Sequence, residues 1–216
     1  VTLAQARWVQ FSSDTRSQAA GTKPASACWT REFFLPMTTR ERPNILVTGT
    51  PGVGKTTFCE SLTQIPELSI RHIEVSQMVR EKKLYKEWDD EMDCSIFDED
   101  MVGDELEPLL ENGGFLVDFH SAGFVDASWF DLVVVLRADT NVLWGRLERR
   151  HYGENKIRQN VEAEIFQTCL DEVREAFEGS PVPVWELIHD DQEQLESAIG
   201  RITEFIRGFP GQDGLM

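Results

Sequence analysis

Long apolar runs are missing from this chain of 216 residues, and its mean hydropathy is negative. None approaches the roughly 18 residues that a membrane span needs, so no membrane association is expected. Cysteine is scarce. Cys28, Cys59, Cys94 and Cys169 stand far apart, with no C-x-x-C pair and no neighbouring His pair. That spacing argues against a zinc site or a disulfide framework and fits a reducing compartment. Basic charge is also short, with 21 Lys and Arg against 38 Asp and Glu, for a net charge of −17. Residues 1–36 hold four basic and two acidic side chains, so the acidic excess lies entirely in the remainder. Such a surface repels phosphate backbones, which disfavours non-specific nucleic-acid binding and suits a basic protein partner. The first residues also lack the charged start and apolar core of a secretory signal.

One stretch is dense with information. Ile45-Leu46-Val47-Thr48-Gly49-Thr50-Pro51-Gly52-Val53-Gly54-Lys55-Thr56-Thr57 runs from an apolar strand through a glycine-rich turn into a helix start. Residues 49–56 fit G-x-x-x-x-G-K-[ST], the phosphate-cradling loop. Its amides, with the partial positive charge of the following helix, form an anion site. Gly52, Val53, Gly54, Lys55, Thr56 and Thr57 are therefore the expected ATP-binding residues. Lys55 reaches the β- and γ-phosphates, and the Thr56 hydroxyl completes a Mg²⁺ shell.

Residues 1–36 show no sustained period and are expected to be a disordered extension, with the folded unit spanning 37–216. From Pro43 onward, strands and helices alternate. Strands are expected at 44–48, 68–75, 115–119, 132–136 and 182–188, most of them short apolar runs typical of a buried parallel sheet. Helices are expected at 55–62, 98–111, 141–150, 159–177 and 192–205. This βαβ alternation predicts an α/β fold, a doubly wound parallel five-stranded sheet flanked by helices, with ligands over the carboxyl ends of the strands. Two segments stand outside it: a charged and aromatic arm at about 76–97 and a short polar interruption at about 151–158. Both lie where arms would cover a ligand.

Spacing separates the P-loop classes. A guanine reader N-K-x-D is absent, since Asn155-Lys156-Ile157 is followed by Arg158. A D-x-x-G switch is absent too, since Asp118-Phe119-His120 is followed by Ser121. The small sheet with two inserted arms points to a nucleoside monophosphate kinase. Asp118 ends an apolar strand, where a carboxylate either holds Mg²⁺ or caps the next turn. Arg146 and Arg150, four apart, share a helical face from which guanidinium groups could clamp a transferring phosphoryl. Surface pairing with Glu148 or Glu154 is the alternative.

The stretch from Pro43 to Thr57 closely resembles the adenylate kinase isoenzyme 6 family, also described as coilin-interacting nuclear ATPases. So do Val79-Arg80-Glu81, Asp98-Glu99-Asp100, Val117-Asp118-Phe119-His120, the run from Arg137 to Leu143, Asn160 and Glu164-Ile165-Phe166-Gln167. The resemblance covers about residues 43–207. It implies transfer of the γ-phosphoryl of MgATP to AMP or a related monophosphate by a small kinase with a monophosphate-binding arm (76–97) and a short lid (151–158). It further implies ATPase activity, a part in maturing the small ribosomal subunit and its 18S rRNA alongside a basic ribosomal protein, and residence in nucleus and cytoplasm; a monomer is expected. An assembly factor that is primarily an ATPase is the alternative. The family pattern assigns Arg80 to the monophosphate, Arg150 to ATP, and His120 to orienting an attacking water. With Lys55, Asp118 and Arg146, these complete the expected catalytic set. Two departures stand out: Ser128 occupies a position where the family carries Arg, and Asp191 one where it carries Lys. The first suggests a missing phosphate-binding cation, and hence that Ser128→Arg would lower the KM for AMP.

Overall fold

In the computed structural model, the structure describes residues 40–89 and 94–210. The expected extension at 1–36 lies outside them, as does Cys28. Seven strands and seven helices are described. The strands are β1 (Ile45–Thr48), β2 (Arg71–Glu74), β3 (Tyr85–Asp89), β4 (Cys94–Phe97), β5 (Phe115–Asp118), β6 (Leu132–Arg137) and β7 (Val184–Ile188). The helices are α1 (Lys55–Thr63), α2 (Val75–Lys82), α3 (Glu99–Leu110), α4 (Thr140–Arg149), α5 (Glu154–Ile165), α6 (Thr168–Ala176) and α7 (Gln192–Arg207). No described helix is long and apolar enough to cross a membrane.

Five strands form one parallel sheet in the order β2-β5-β1-β6-β7. The central strands β1 and β5 are buried at every position, and β1, β5 and β6 are apolar up to a polar last residue (Thr48, Asp118 and Arg137), because both faces are covered. Ile45 and Val47 of β1 point into one core with Phe58 of α1, Leu143 of α4 and Ile202 of α7. Leu46 between them points into the other core, with Val79 of α2, Leu106 of α3 and Val173 of α6. Asn44 pins the amino ends of the strands: its side chain donates to Leu110 O and Trp129 O and accepts from Phe115 N.

Connections leaving β1 and β5 go to opposite faces. The chain after β1 enters α1, in the first core, whereas Phe119 and Phe130 after β5 join the second. Adjacent strands with diverging connections leave a crevice at their carboxyl ends.

The structure corrects three sequence-based expectations. The run at 68–75 becomes a strand only from Arg71, because Pro66–Leu68 forms a 3₁₀ turn closed by Ser69 at φ 46°. The helix expected over 159–177 is two helices, broken where Gln167 takes φ 58°. A non-glycine residue in the left-handed region carries no compositional mark, so periodicity reads across it. Helix α5 starts at Glu154, which shortens the polar interruption to residues 150–153. The arm after β2 consists of helix α2 and the antiparallel β3–β4 pair.

Candidate active site at the phosphate-cradling loop

The turn after β1 has the conformation its glycines predict. Gly49 sits at φ 138°, and a Cβ there would lie 2.3 Å from Leu136 O. Gly54, at φ 105°, is the N-cap of α1, and a Cβ there would lie 2.5 Å from the His189 ring. No side chain caps α1 and its first turn carries no acidic residue, so its leading amides and dipole face the turn uncompensated.

A cleft of about 300 Å³ opens over this turn, at the carboxyl ends of β1, β2 and β5. Lys55, Thr56, Asp118, His120, Arg80 and Arg150 all line it, together with Gly52 and Gly54. Lys55 is folded back, its ammonium donating to Gly49 O at 2.8 Å and Thr50 O at 3.3 Å. Burial lowers the Lys55 pKa, against the pull of Asp118, which favours the charged form. The Thr56 hydroxyl donates to Asp118 Oδ2 at 2.7 Å. A hydroxyl and a carboxylate in contact at the mouth of an anion cradle are the hard oxygen donors Mg²⁺ takes.

His120 is buried, 8% exposed, and its Nε2 has no hydrogen-bond partner among the described residues. Burial, with Lys55 nearby, pushes its pKa down to about 3. The imidazole is therefore neutral at physiological pH, with a nitrogen left to pair with something in the cleft. This has a measurable consequence. In the unfolded chain the group binds a proton below its ordinary 6.5, but in the folded protein only near 3. Between those limits the unfolded state binds more protons, so stability falls as pH drops through the window. His120→Gln is expected to remove a slope of up to about 1.4 kcal/mol per pH unit below pH 6.5. Urea denaturation of both proteins from about pH 4 to 7 measures it; parallel curves would contradict it.

The structure separates Arg146 from Arg150. Arg150 is the C-cap of α4 and lines the cleft. Arg146 is instead turned behind the loop, donating to Val53 O at 2.9 Å and to Asp190 O at 3.0 Å. It braces the cradle from outside and does not line the cleft. It therefore takes neither the expected phosphoryl-clamping position nor the alternative surface pairing with Glu148 or Glu154. Arg80 lies 3.7 Å from Glu74, with 61% of its side chain exposed.

Ser128 is not a lost phosphate ligand. It is exposed, and its carbonyl accepts from Arg40 at 2.6 Å, while Arg40 pairs with Asp131. Asp131 accepts from Asn44 N, which puts residue 128 near the amino ends of β1 and β6, at the opposite edge of the sheet from the cleft. The outcome expected from the sequence is therefore reversed: Ser128→Arg should leave the KM for AMP unchanged within about twofold. A larger fall would restore the sequence-based reading. Asp191 caps α7, accepting from Gln194 N at 2.8 Å.

Three further lining residues have no role in the sequence reading, where Asn160 figures only in the family resemblance. Tyr152, Lys156 and Asn160 border the cleft, and Lys156 stacks over the Tyr152 ring at 4.9 Å. The spacing of four between Lys156 and Asn160, both on α5, was the available signal. Glu164 was visible only within the family resemblance. It is 3% exposed and accepts from the Thr50 hydroxyl at 2.5 Å, from Arg137 Nε at 2.5 Å and from Ala138 N at 3.3 Å. It thus ties the loop after β1 to the end of β6.

Comparison with known proteins agrees with this geometry. A family profile described as an AAA domain matches residues 45–167. The adenylate kinase isoenzyme 6 homolog of Schizosaccharomyces pombe is 44% identical over 167 residues, covering 77% of this chain and 93% of the relative. The homolog of the same name from Caenorhabditis elegans is 43% identical over 176 residues, covering 81% and 94%. Among solved structures, shikimate kinase from Bacteroides thetaiotaomicron superposes with a TM-score of 0.53 at 19% identity, covering 77% of this chain and 99% of that one. At that identity the likeness speaks for the fold alone. A complete phosphate-cradling loop on a five-stranded parallel sheet, and relatives matched over nearly their whole length, lead to one conclusion: this chain belongs to the adenylate kinase isoenzyme 6 family of P-loop kinases.

Proposed function

We propose that the protein transfers the γ-phosphoryl of MgATP to AMP or a related nucleoside monophosphate, and that it also hydrolyses ATP. The supporting observation is the convergence of Lys55, Thr56, Asp118, Arg80 and Arg150 on one cleft. Phosphoryl transfer needs positioning and charge neutralisation rather than covalent help from the protein. The loop amides and Lys55 hold the β- and γ-phosphates. Arg150, also lining the cleft, neutralises charge on them, and Arg80 on α2 meets the incoming monophosphate. The Thr56 hydroxyl and the Asp118 carboxylate would hold Mg²⁺, which when bound would supply further neutralisation of phosphate charge. In the transfer step an oxygen of the monophosphate forms the new P–O bond, the bond to the β,γ-bridging oxygen breaks, and ADP leaves.

His120 supports the hydrolytic reading. A buried, neutral imidazole with an unpartnered Nε2 in the cleft can orient a water onto the same phosphorus. As a kinase, the protein is expected to form ADP faster with AMP present than with ATP alone, under otherwise equal conditions. His120→Ala should lower the AMP-independent rate by about 10-fold or more and spare most of the AMP-dependent one. An AMP-insensitive rate lost in His120→Ala would instead favour the ATPase assembly factor. For that role, the net charge of −17 suits a basic ribosomal partner.

A further inference from the structure

Three elements distant in sequence bring unlike ligand atoms together beneath the cleft. Cys59 of α1, His72 of β2 and Asp118 of β5 each offer one donor, and all three donors lie within 4.8 Å of one another. His72 Nε2 points at Asp118 Oδ2 from 3.6 Å, and that nitrogen is buried with no hydrogen-bond partner among the described residues. Cys59 is fully buried, yet the cluster has an entrance, because Asp118 also lines the nucleotide cleft.

We propose that Cys59, His72 and Asp118 form a binding site for a borderline-soft divalent cation of the Zn²⁺ class, sharing the Asp118 carboxylate with the magnesium-binding position. The donor set decides the class. Thiolate and imidazole select Zn²⁺ over Mg²⁺, which takes oxygen ligands in a near-ideal octahedron. The separations fit as well: two tetrahedral Zn²⁺ bonds place their donors about 3.3–3.6 Å apart, close to the His72–Asp118 distance. The Cys59 thiol lies within 4.8 Å of both other donors. The Thr56 hydroxyl, already 2.7 Å from Asp118 Oδ2, or a water entering through the cleft occupies the fourth position.

Both sites draw on the same oxygen, Asp118 Oδ2, which lies 3.6 Å from His72 Nε2 and accepts from the Thr56 hydroxyl at 2.7 Å, and this makes the two metals antagonists. A Zn²⁺ ion on Asp118 withdraws that carboxylate from MgATP, so the site reports metal status to the nucleotide cleft. This consequence rests on the function proposed above, whereas metal binding itself does not.

The test uses the full chain, stripped with a chelator, and Co²⁺ as the spectroscopic probe. One equivalent of Co²⁺ should bind with a near-ultraviolet thiolate charge-transfer band that Zn²⁺ abolishes. Cys59→Ser, which keeps the side chain's size, should lose the band. His72→Gln should bind Zn²⁺ at least about 10-fold more weakly by chelator competition. Cys169→Ala, which alters a second buried thiol outside the cluster, should behave like the parent. Melting curves without metal establish that each variant folds. Absence of the thiolate band in the folded parent, or its persistence in Cys59→Ser, overturns the site and leaves the kinase reading intact. If Zn²⁺ binds, MgATP should weaken its apparent affinity in a concentration-dependent way. Additive binding with no antagonism overturns the shared carboxylate.

Discussion

Lys55→Ala is expected to lower kcat/KM for ATP-dependent product formation by about 10²–10³-fold, the scale found when one preorganised charge-stabilising group is removed. Lys55 is a cation aimed into the anion cradle, where two carbonyls of its own loop hold it. A phosphate tail can take over those hydrogen bonds at little cost, because the ammonium is already desolvated and in place. Burial works against its charge, so an arriving polyphosphate restores the interaction that burial has weakened. Alanine deletes the charge and leaves the backbone turn, set by Gly49 and Gly54, as it was. The variant should therefore keep the parent's circular dichroism spectrum while losing the rise in melting temperature that MgATP gives the parent. Turnover within about threefold of the parent would show that the cleft does not hold a triphosphate as described.

The largest stability effect is expected away from the reacting atoms. Glu164→Ala should cost about 3–5 kcal/mol by urea denaturation, the range for breaking a buried pair and stranding its partner. Three donors converge on this carboxylate, from Thr50, Arg137 and Ala138, and alanine satisfies none of them. Arg137 has a second carboxylate 3.7 Å away, on Glu186, but that group is 47% exposed and screened by solvent, so it recovers little. Because Thr50 belongs to the phosphate-cradling loop, the loss should also appear as weaker MgATP binding. Glu164→Gln keeps an acceptor and the side chain's volume, and should retain about half of the lost stability. A change below about 1 kcal/mol in Glu164→Ala would mean that the loop is held in place by its glycines and by Arg146 alone.

The two effects differ in how readily sequence discloses them. Lys55 is announced by its neighbours, since glycines at fixed offsets before a Lys-Thr pair have few other uses. Glu164 is one acidic residue among 38 Asp and Glu, and only the fold shows which of them turns inward. Arg146 illustrates the reverse difficulty. Helical spacing placed it beside Arg150, yet α4 ends at Arg149, and the cap residue leaves the face on which Arg146 sits. Ser128 looked like a vacancy in the phosphate site because a family pattern can be matched along the chain without knowing where the connection after β5 travels. That connection crosses the whole sheet.

The sequence by itself determined the local matters: the strand–turn–helix of the nucleotide loop, the parallel sheet implied by short apolar runs between helices, and the strand-end position of Asp118. These follow from periodicity and backbone sterics over a dozen residues or fewer, which any chain with this local sequence would share. The tertiary structure alone decided what meets across the sheet: Glu164 beneath Thr50, Arg146 behind Val53, and Cys59 and His72 around Asp118. Such encounters depend on strand order and on which face each connection takes. Sequence separation carries no trace of either, because the energy that sets them is the burial of two whole cores rather than any local preference.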